Sequence, residues 1–295
     1  MKILILGATG MIGSSLYRYL CNKHEVFYTV RCSMEHLEYL SGAEEIFNLD
    51  YAHCEMDVVQ YENLTEILKI VEPSVVVNAT GVVKQIASET SASKMIELNA
   101  LFPHRLAELC FEQGVRVIQF STDCVFSGLK GDYRESDFCD ALDLYGRSKR
   151  LGEVDLENCL NIRTSTIGLE LQYRHGLVEW FLSQKDEIDG YTKAIYTGIT
   201  TKELAKIVDL MLREHKNLNG LLHVSGDKIS KFDLLSVLQS YLPKPHVRIK
   251  KETDFVCDRS LVSDRFLDLT GYKAPSWQEM LLELSQEIVT RDNEN

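Results

Sequence analysis

Apolar positions in the first half of the chain switch between two periods. Residues 3–6 form a short unbroken apolar run, glycines follow, and Ile12, Leu16, Tyr19 and Leu20 then fall at helical spacing before a second run at 26–30. Leu64, Ile67, Leu68 and Val71 repeat at i, i+3, i+4 and i+7, and Pro73 stops that helix ahead of Val75-Val76-Val77. A longer helix-compatible stretch, 92–113, leads into a strand at 115–120. Strands that are apolar without alternation are covered on both faces, so strand–helix–strand order predicts a doubly wound parallel α/β sheet. The second half is less regular. Thr200 with Glu203 and Ser230 with Asp233 have capping-box spacing ahead of apolar helices, and Trp277, Met280, Leu281, Leu284 and Ile288 mark a final amphipathic helix. Residues 243–251 are basic and contain prolines, which predicts a solvated loop.

Composition removes several classes of function. The 295 residues carry 32 Lys and Arg against 44 Asp and Glu, a net charge of −12, which disfavours nucleic acid and anionic membranes as partners but not a small phosphorylated ligand. No apolar run reaches the roughly 20 residues needed to span a bilayer. The run after Lys2 is cut by glycines and has no cleavage pattern, so a secretory signal is not expected. Eight cysteines, never closer than 11 positions, offer no C-x-x-C pair, and the histidines no H-x-x-x-H pair. The expectation is no metal, reduced and buried cysteines, and a cytoplasmic setting.

Candidate chemistry starts at Gly7-Ala8-Thr9-Gly10-Met11-Ile12-Gly13, placed between a strand and a helix as a dinucleotide phosphate loop requires. The first domain is therefore expected to be Rossmann-type. At the end of the second strand, where an NAD enzyme usually has an acid, the chain has Arg31, which suits a 2′-phosphate and predicts NADP(H) over NAD(H). Tyr145 and Lys149, four apart, share a helix face, and the ammonium is expected to lower the phenol pKa and prepare it for proton transfer. Tyr19 and Lys23 have the same spacing, which surface amphipathicity explains. Ser121-Thr122-Asp123 ends the strand at 115–120, the end where open α/β sheets place their sites. The apolar run 177–182 with Trp180 and Phe181 reads as core or subunit interface.

Together these stretches resemble the extended short-chain dehydrogenase/reductase superfamily, and within it the dTDP-4-dehydrorhamnose reductase family. The resemblance includes Val76-Val77-Asn78-Ala79-Thr80-Gly81, the segment 121–128, Gly152-Glu153, Ile162-Arg163-Thr164-Ser165 and Gly198-Ile199-Thr200-Thr201, and it covers most of the chain. It implies adenine contacts from Asp57 and Val58, a cofactor groove lined by Ala79, Thr80 and Gly81, and a structural or active-site role for Asn99. It further implies Tyr145 as proton donor, Lys149 on the nicotinamide ribose, Thr122 orienting the substrate carbonyl, and substrate contacts from Asp123 and Ser260. The implied reaction is NADPH-dependent reduction of the 4-keto group of a nucleotide-linked deoxysugar. Residues 1–165 would be the cofactor domain, with 195–215 returning to it, and 166–295 a smaller, interleaved α/β substrate region. Departures are Cys124 where the family commonly has Tyr, and Arg259 where it often has Asn. An Asp-Glu dehydratase signature is absent, since Cys124 follows Asp123. An epimerase, or a non-catalytic subunit like that of a methionine adenosyltransferase, is the alternative, and a homodimer is left open.

Overall fold

The computed structural model describes residues 1–41, 46–172, 174–243 and 247–294. Its strands are β1 (Lys2–Leu6), β2 (Glu25–Thr29), β3 (Ala52–His53), β4 (Val75–Asn78), β5 (Arg116–Thr122), β6 (Cys159–Thr164), β7 (Thr166–Ile167), β8 (Glu187–Tyr196), β9 (Ile199–Thr200), β10 (Gly220–His223), β11 (Ile229–Ser230) and β12 (Arg248–Asp258). The helices are α1 (Met11–Leu20), α2 (Met34–Ser41), α3 (Tyr61–Val71), α4 (Ala92–Ile96), α5 (Phe102–Glu112), α6 (Leu144–Leu151), α7 (Leu177–Ser183), α8 (Thr201–Arg213), α9 (Lys231–Tyr241), α10 (Asp264–Thr270) and α11 (Trp277–Glu294).

Seven strands form one parallel sheet in the order β10-β6-β5-β4-β1-β2-β3. Successive side chains of a strand point to opposite faces. In β1, Ile3 and Ile5 therefore enter one core with Leu16 and Leu20 of α1 and Leu204 and Val208 of α8. Leu4 and Leu6 enter the other, with Leu64 and Leu68 of α3 and Leu106 and Cys110 of α5. The two-sided apolar coat is what the unbroken runs predicted. Strand order reverses between β1 and β4, which opens a crevice at the carboxyl ends of β1, β4 and β5. Beside the main sheet stand a three-stranded sheet, β11-β8-β12, and a two-stranded one, β7-β9.

Several local expectations are corrected. The long helix is broken by a π-helical segment, Glu97–Leu101, between α4 and α5. The segment 243–251 is not simply a loop: β12 begins at Arg248, pairs in parallel with β8, and is mostly exposed along its length, while 244–246 lie outside the described residues. Thr200 does cap α8, accepting from the Glu203 N–H at 3.3 Å, but the Glu203 carboxylate accepts from the Tyr272 hydroxyl instead of reaching back to the cap. All eight cysteines are free, yet only Cys110 and Cys159 are buried; Cys21 is exposed and five are intermediate. In α7, Val178 and Phe181 are buried and Trp180 is exposed. Among the described residues no helix is long and apolar enough to cross a membrane, and no group of His, Cys, Asp or Glu could hold a metal ion.

Candidate functional site

The loop after β1 is shaped by two glycines. Gly7 adopts φ +81°, a left-handed conformation that side chains rarely take. A Cβ on Gly13 would lie 2.2 Å from the Gly7 carbonyl oxygen, so that helix turn can approach the strand only without a side chain. Gly10 is the N-cap of α1 with no side-chain cap, and the first turn has no acid. The leading amides of α1 are thus left for an external acceptor, and the helix dipole adds positive potential there. Across the crevice the loop meets β4: a Cβ on Gly7 would touch Thr80 Cγ2 at 3.0 Å and the Ala79 carbonyl at 3.3 Å. Thr80 is oriented by its hydroxyl, which donates to Asn78 Oδ1 at 2.6 Å. Thr9, Met11 and Ile12 are half-buried around the loop.

Arg31 is exposed just beyond β2 and near Ser33, whose hydroxyl accepts from the His36 N–H at 3.3 Å. Beyond β3, Val58 is buried in the second core, and the exposed Asp57 accepts from the Val59 N–H at 3.3 Å.

The catalytic candidates meet at the end of β5. Thr122 and Asp123 are buried, and the Thr122 hydroxyl donates to Asp123 Oδ1 at 3.2 Å while accepting from the Cys124 N–H at 3.1 Å. Helix α6 starts at Asp143, which caps it by accepting from the Gly146 N–H at 2.7 Å. A Cβ on Gly146 would stand 2.2 Å from the Cys124 carbonyl oxygen, and one on Gly152 2.0 Å from that of Asn99. Both glycines let α6 lie tight against β5 and the π-helical segment, which sets Tyr145 and Lys149 over the crevice.

Asn99 is buried and fully engaged. Its Oδ1 accepts from the Val82 N–H at 2.8 Å, and its Nδ2 donates to the Val82 carbonyl at 3.1 Å and to Ser148 Oγ at 3.3 Å. It is a clasp between the loop after β4 and α6. The wider turn of a π segment, a feature frequent at functional sites, puts it in reach of both.

The charge state of the Tyr–Lys pair differs from the sequence expectation. Burial pushes the Tyr145 phenol above its ordinary value, the Cys124 thiol adds to this, and Thr122 beside it works in the opposite sense. The Lys149 ammonium donates to the Phe120 carbonyl at 2.7 Å, and burial lowers its pKa to about 8 against the pull of Glu153. The phenol therefore keeps its proton at neutral pH, as a proton donor must. By contrast, the partly exposed Lys23 meets the Tyr19 hydroxyl at 2.8 Å and pairs at 2.8 Å with the buried Asp209 carboxylate of α8.

Ser260 is placed elsewhere than the sequence reading put it. It is fully buried, and its hydroxyl accepts from the Asp132 N–H at 2.8 Å, which fastens the loop after β5 to β12. The structure also brings in Lys231, Tyr196 and Cys257, which sequence reasoning did not single out. Lys231 was hidden inside the Ser230–Asp233 capping pattern, and the contacts that matter arise only from strand pairing.

Compared with known proteins, the chain matches over residues 1–288 the family model described as RmlD substrate binding domain. It is 26% identical over 310 residues to a dTDP-4-dehydrorhamnose reductase of Aggregatibacter actinomycetemcomitans, covering 95% of this chain and 97% of that one. It is also 26% identical to the spore coat polysaccharide biosynthesis protein SpsK of Bacillus subtilis, with 97% of each covered. Among solved structures, a dTDP-4-dehydrorhamnose reductase from Bacillus anthracis in complex with NADP superposes with TM-score 0.77 at 20% identity, covering 97% of this chain and 98% of that one.

Proposed function

The chain belongs to the RmlD substrate binding domain family, and on that premise we propose that it reduces the 4-keto group of a nucleotide-linked deoxysugar with NADPH, for polysaccharide or surface-glycan precursors. The observation that carries this reading is the convergence of Thr122, Tyr145 and Lys149 at the end of β5, beside the uncapped glycine loop. One relative named above is a dTDP-4-dehydrorhamnose reductase and the other a spore coat polysaccharide biosynthesis protein, which supports both parts of the reading. Residues 1–165, with 195–215, would hold the cofactor, and the rest of 166–295 the sugar nucleotide.

The loop fits a dinucleotide, because Gly7 and Gly13 let the strand, the loop and α1 pack closely while the uncapped first turn of α1 leaves its amides for a pyrophosphate. When bound, the nicotinamide supplies the hydride. Tyr145 then donates its phenolic proton to the carbonyl oxygen, and the Thr122 hydroxyl fixes that oxygen's direction. Lys149 would hold the nicotinamide ribose and keep positive charge beside the phenol as it loses its proton. Arg31 would take the 2′-phosphate through charge-assisted bonds.

The test is NADPH and NADH oxidation with dTDP-, UDP- and GDP-linked 4-keto-6-deoxysugars. Turnover that favours NADPH and one nucleotide is expected. Arg31→Ala should weaken NADPH about 10- to 100-fold, the value of hydrogen bonds to a charged group, with NADH nearly unchanged. If NADPH binds and no sugar is reduced, the reading falls.

The pH profile offers a second check. Burial lowers the pKa of Lys149 to about 8, so its ammonium is present below that value and lost as pH rises through it. Because kcat/KM reports the free enzyme, it should fall above about pH 8. A flat profile up to about pH 9.5 would show that this charge has no part in the reaction.

A further inference from the structure

The edge of the main sheet next to Arg31 carries two thiols that the proposed reaction does not use. Val26, Tyr28 and Val30 face the first core in alternation, and Cys32 continues that face, half-buried against the same core. Ala52 and Cys54 do likewise from β3, the outermost strand. Backbone bonds tie the two segments together: the Glu55 N–H donates to the Cys32 carbonyl at 3.0 Å, and the Met56 N–H to that of Val30 at 3.0 Å. The Glu55 amide is one peptide unit from Cys54, so the Cα atoms of Cys32 and Cys54 stand at most about 8 Å apart. Two thiols on one face at that separation are neighbours.

The surroundings can yield. Glu55 takes φ +56°, a left-handed conformation uncommon for a residue with a side chain, and β3 is only two residues long. Cys54 Sγ rests 3.9 Å from Sδ of Met34, the residue that opens α2. Arg31 and Ser33, on either side of Cys32, are exposed. A disulfide holds its Cα atoms about 4.4–6.8 Å apart and its sulfurs about 2.05 Å apart. Closing one here draws two non-bonded sulfurs together by about 1.5 Å or more, and the movement falls on the turn that carries Arg31. Guanidinium–phosphate bonds need heavy atoms about 2.7–2.9 Å apart, so a shift of that size breaks their geometry.

We propose that Cys32 and Cys54 form a dithiol modification site, closed to an intramolecular disulfide by a small-molecule disulfide, and that the closed form disfavours NADPH. One thiolate attacks the S–S bond of the oxidant, forms a mixed disulfide and releases the first small thiol. The other attacks the protein sulfur of that mixed disulfide, which makes the Cys32–Cys54 bond and releases the second. The protein thiols give up two electrons and two protons, and the oxidant becomes two thiols. Burial pushes both thiols up, which slows the attack at neutral pH. It also denies the dithiol the thiolate stabilisation that makes a disulfide easy to reduce. The effect on NADPH rests on the reading of Arg31 given above, whereas the disulfide itself does not.

The experiment incubates the full chain with glutathione disulfide at about pH 8.5, where more thiolate is present, and then blocks the remaining thiols with N-ethylmaleimide. Peptide mass mapping reads the cross-link, and fluorescence titration reads NADPH and NADH affinity before oxidation, after it and after dithiothreitol. Wild type should yield a linked peptide pair containing Cys32 and Cys54. Its NADPH affinity should fall about tenfold or more with NADH within about twofold, and dithiothreitol should reverse both the link and the loss. Cys54→Ser should bind NADPH as the reduced wild type does and ignore the oxidant. Arg31→Ala should form the same link with no further loss of NADPH affinity, because both changes act on one contact. Absence of the linked pair, or a stable glutathione adduct on either cysteine in its place, overturns the proposal. A linked protein whose NADPH affinity stays within about twofold of the reduced form overturns it as well. If the link forms and weakens NADPH while reduced Arg31→Ala binds NADPH as wild type does, the modification site stands and the reading of Arg31 falls.

Discussion

Tyr145→Phe is expected to lower kcat by about 10²- to 10⁴-fold, the usual worth of a positioned general acid, while NADPH binds as it does to wild type. The argument is that the ring and the hydroxyl have separable roles. Phenylalanine keeps the ring volume that packs beside Cys124 and above β5, so the geometry of α6 is unaffected. What goes is the one proton that the site holds ready. Burial keeps the phenol protonated well beyond neutral pH, and the Thr122 hydroxyl beside it already bonds Asp123 and the Cys124 N–H. Thr122 is thus a poor substitute proton source, since its one hydroxyl proton must turn from Asp123 to the carbonyl oxygen merely to orient it. Single-turnover mixing of NADPH-loaded protein with the keto sugar reads the chemical step, and fluorescence titration reads cofactor affinity. A variant within about threefold of wild type would remove Tyr145 from the chemistry. Indifference of the wild type itself to every keto sugar, with NADPH still bound, would favour a partner-binding role for the chain.

How much of this could be read from the sequence depended on how local each interaction is. The sheet was legible because β1, β4 and β5 are apolar on both faces and separated by helices with a clear 3.6-residue period. The glycine loop was legible because Gly7 and Gly13 answer a steric demand within one turn. Tyr145 and Lys149 share a helix face for the same local reason. Their electrostatics was not legible, since Lys149 spends its nearest contact on the Phe120 carbonyl and burial dominates both groups. β12 escaped detection because it is an edge strand, with charged residues along it that protect an open edge and a register shift between Glu252 and Val256 that breaks the alternation. Ser260 and Lys231 escaped for a related reason. Which of them faces the crevice is decided by how β11 and β12 flank β8, and no local period carries that information.

Glu153→Ala should cost about 3–5 kcal/mol of stability, the penalty for leaving a buried charge without its partner. Arg163 is 1% and Glu153 4% exposed at the side chain, and they meet through two hydrogen bonds, Nε to Oε1 at 2.5 Å and an Nη to Oε2 at 2.7 Å. Removing the carboxylate leaves the guanidinium with the Cys139 thiol at 3.3 Å and with His223, whose pKa burial lowers to about 4, so that the ring is neutral and offers no countercharge. Arg150, which also reaches Glu153, is half exposed and can turn to solvent. Urea unfolding would measure the loss, and a change under about 1 kcal/mol would mean that water or the neighbours compensate the charge. The same carboxylate accepts from the Ser121 hydroxyl at 2.7 Å, one residue before Thr122, so activity should fall with stability. Glu153→Gln separates the two effects. It keeps an acceptor for Ser121 and loses the countercharge for Arg163, so kcat should recover toward wild type while the unfolding midpoint stays low.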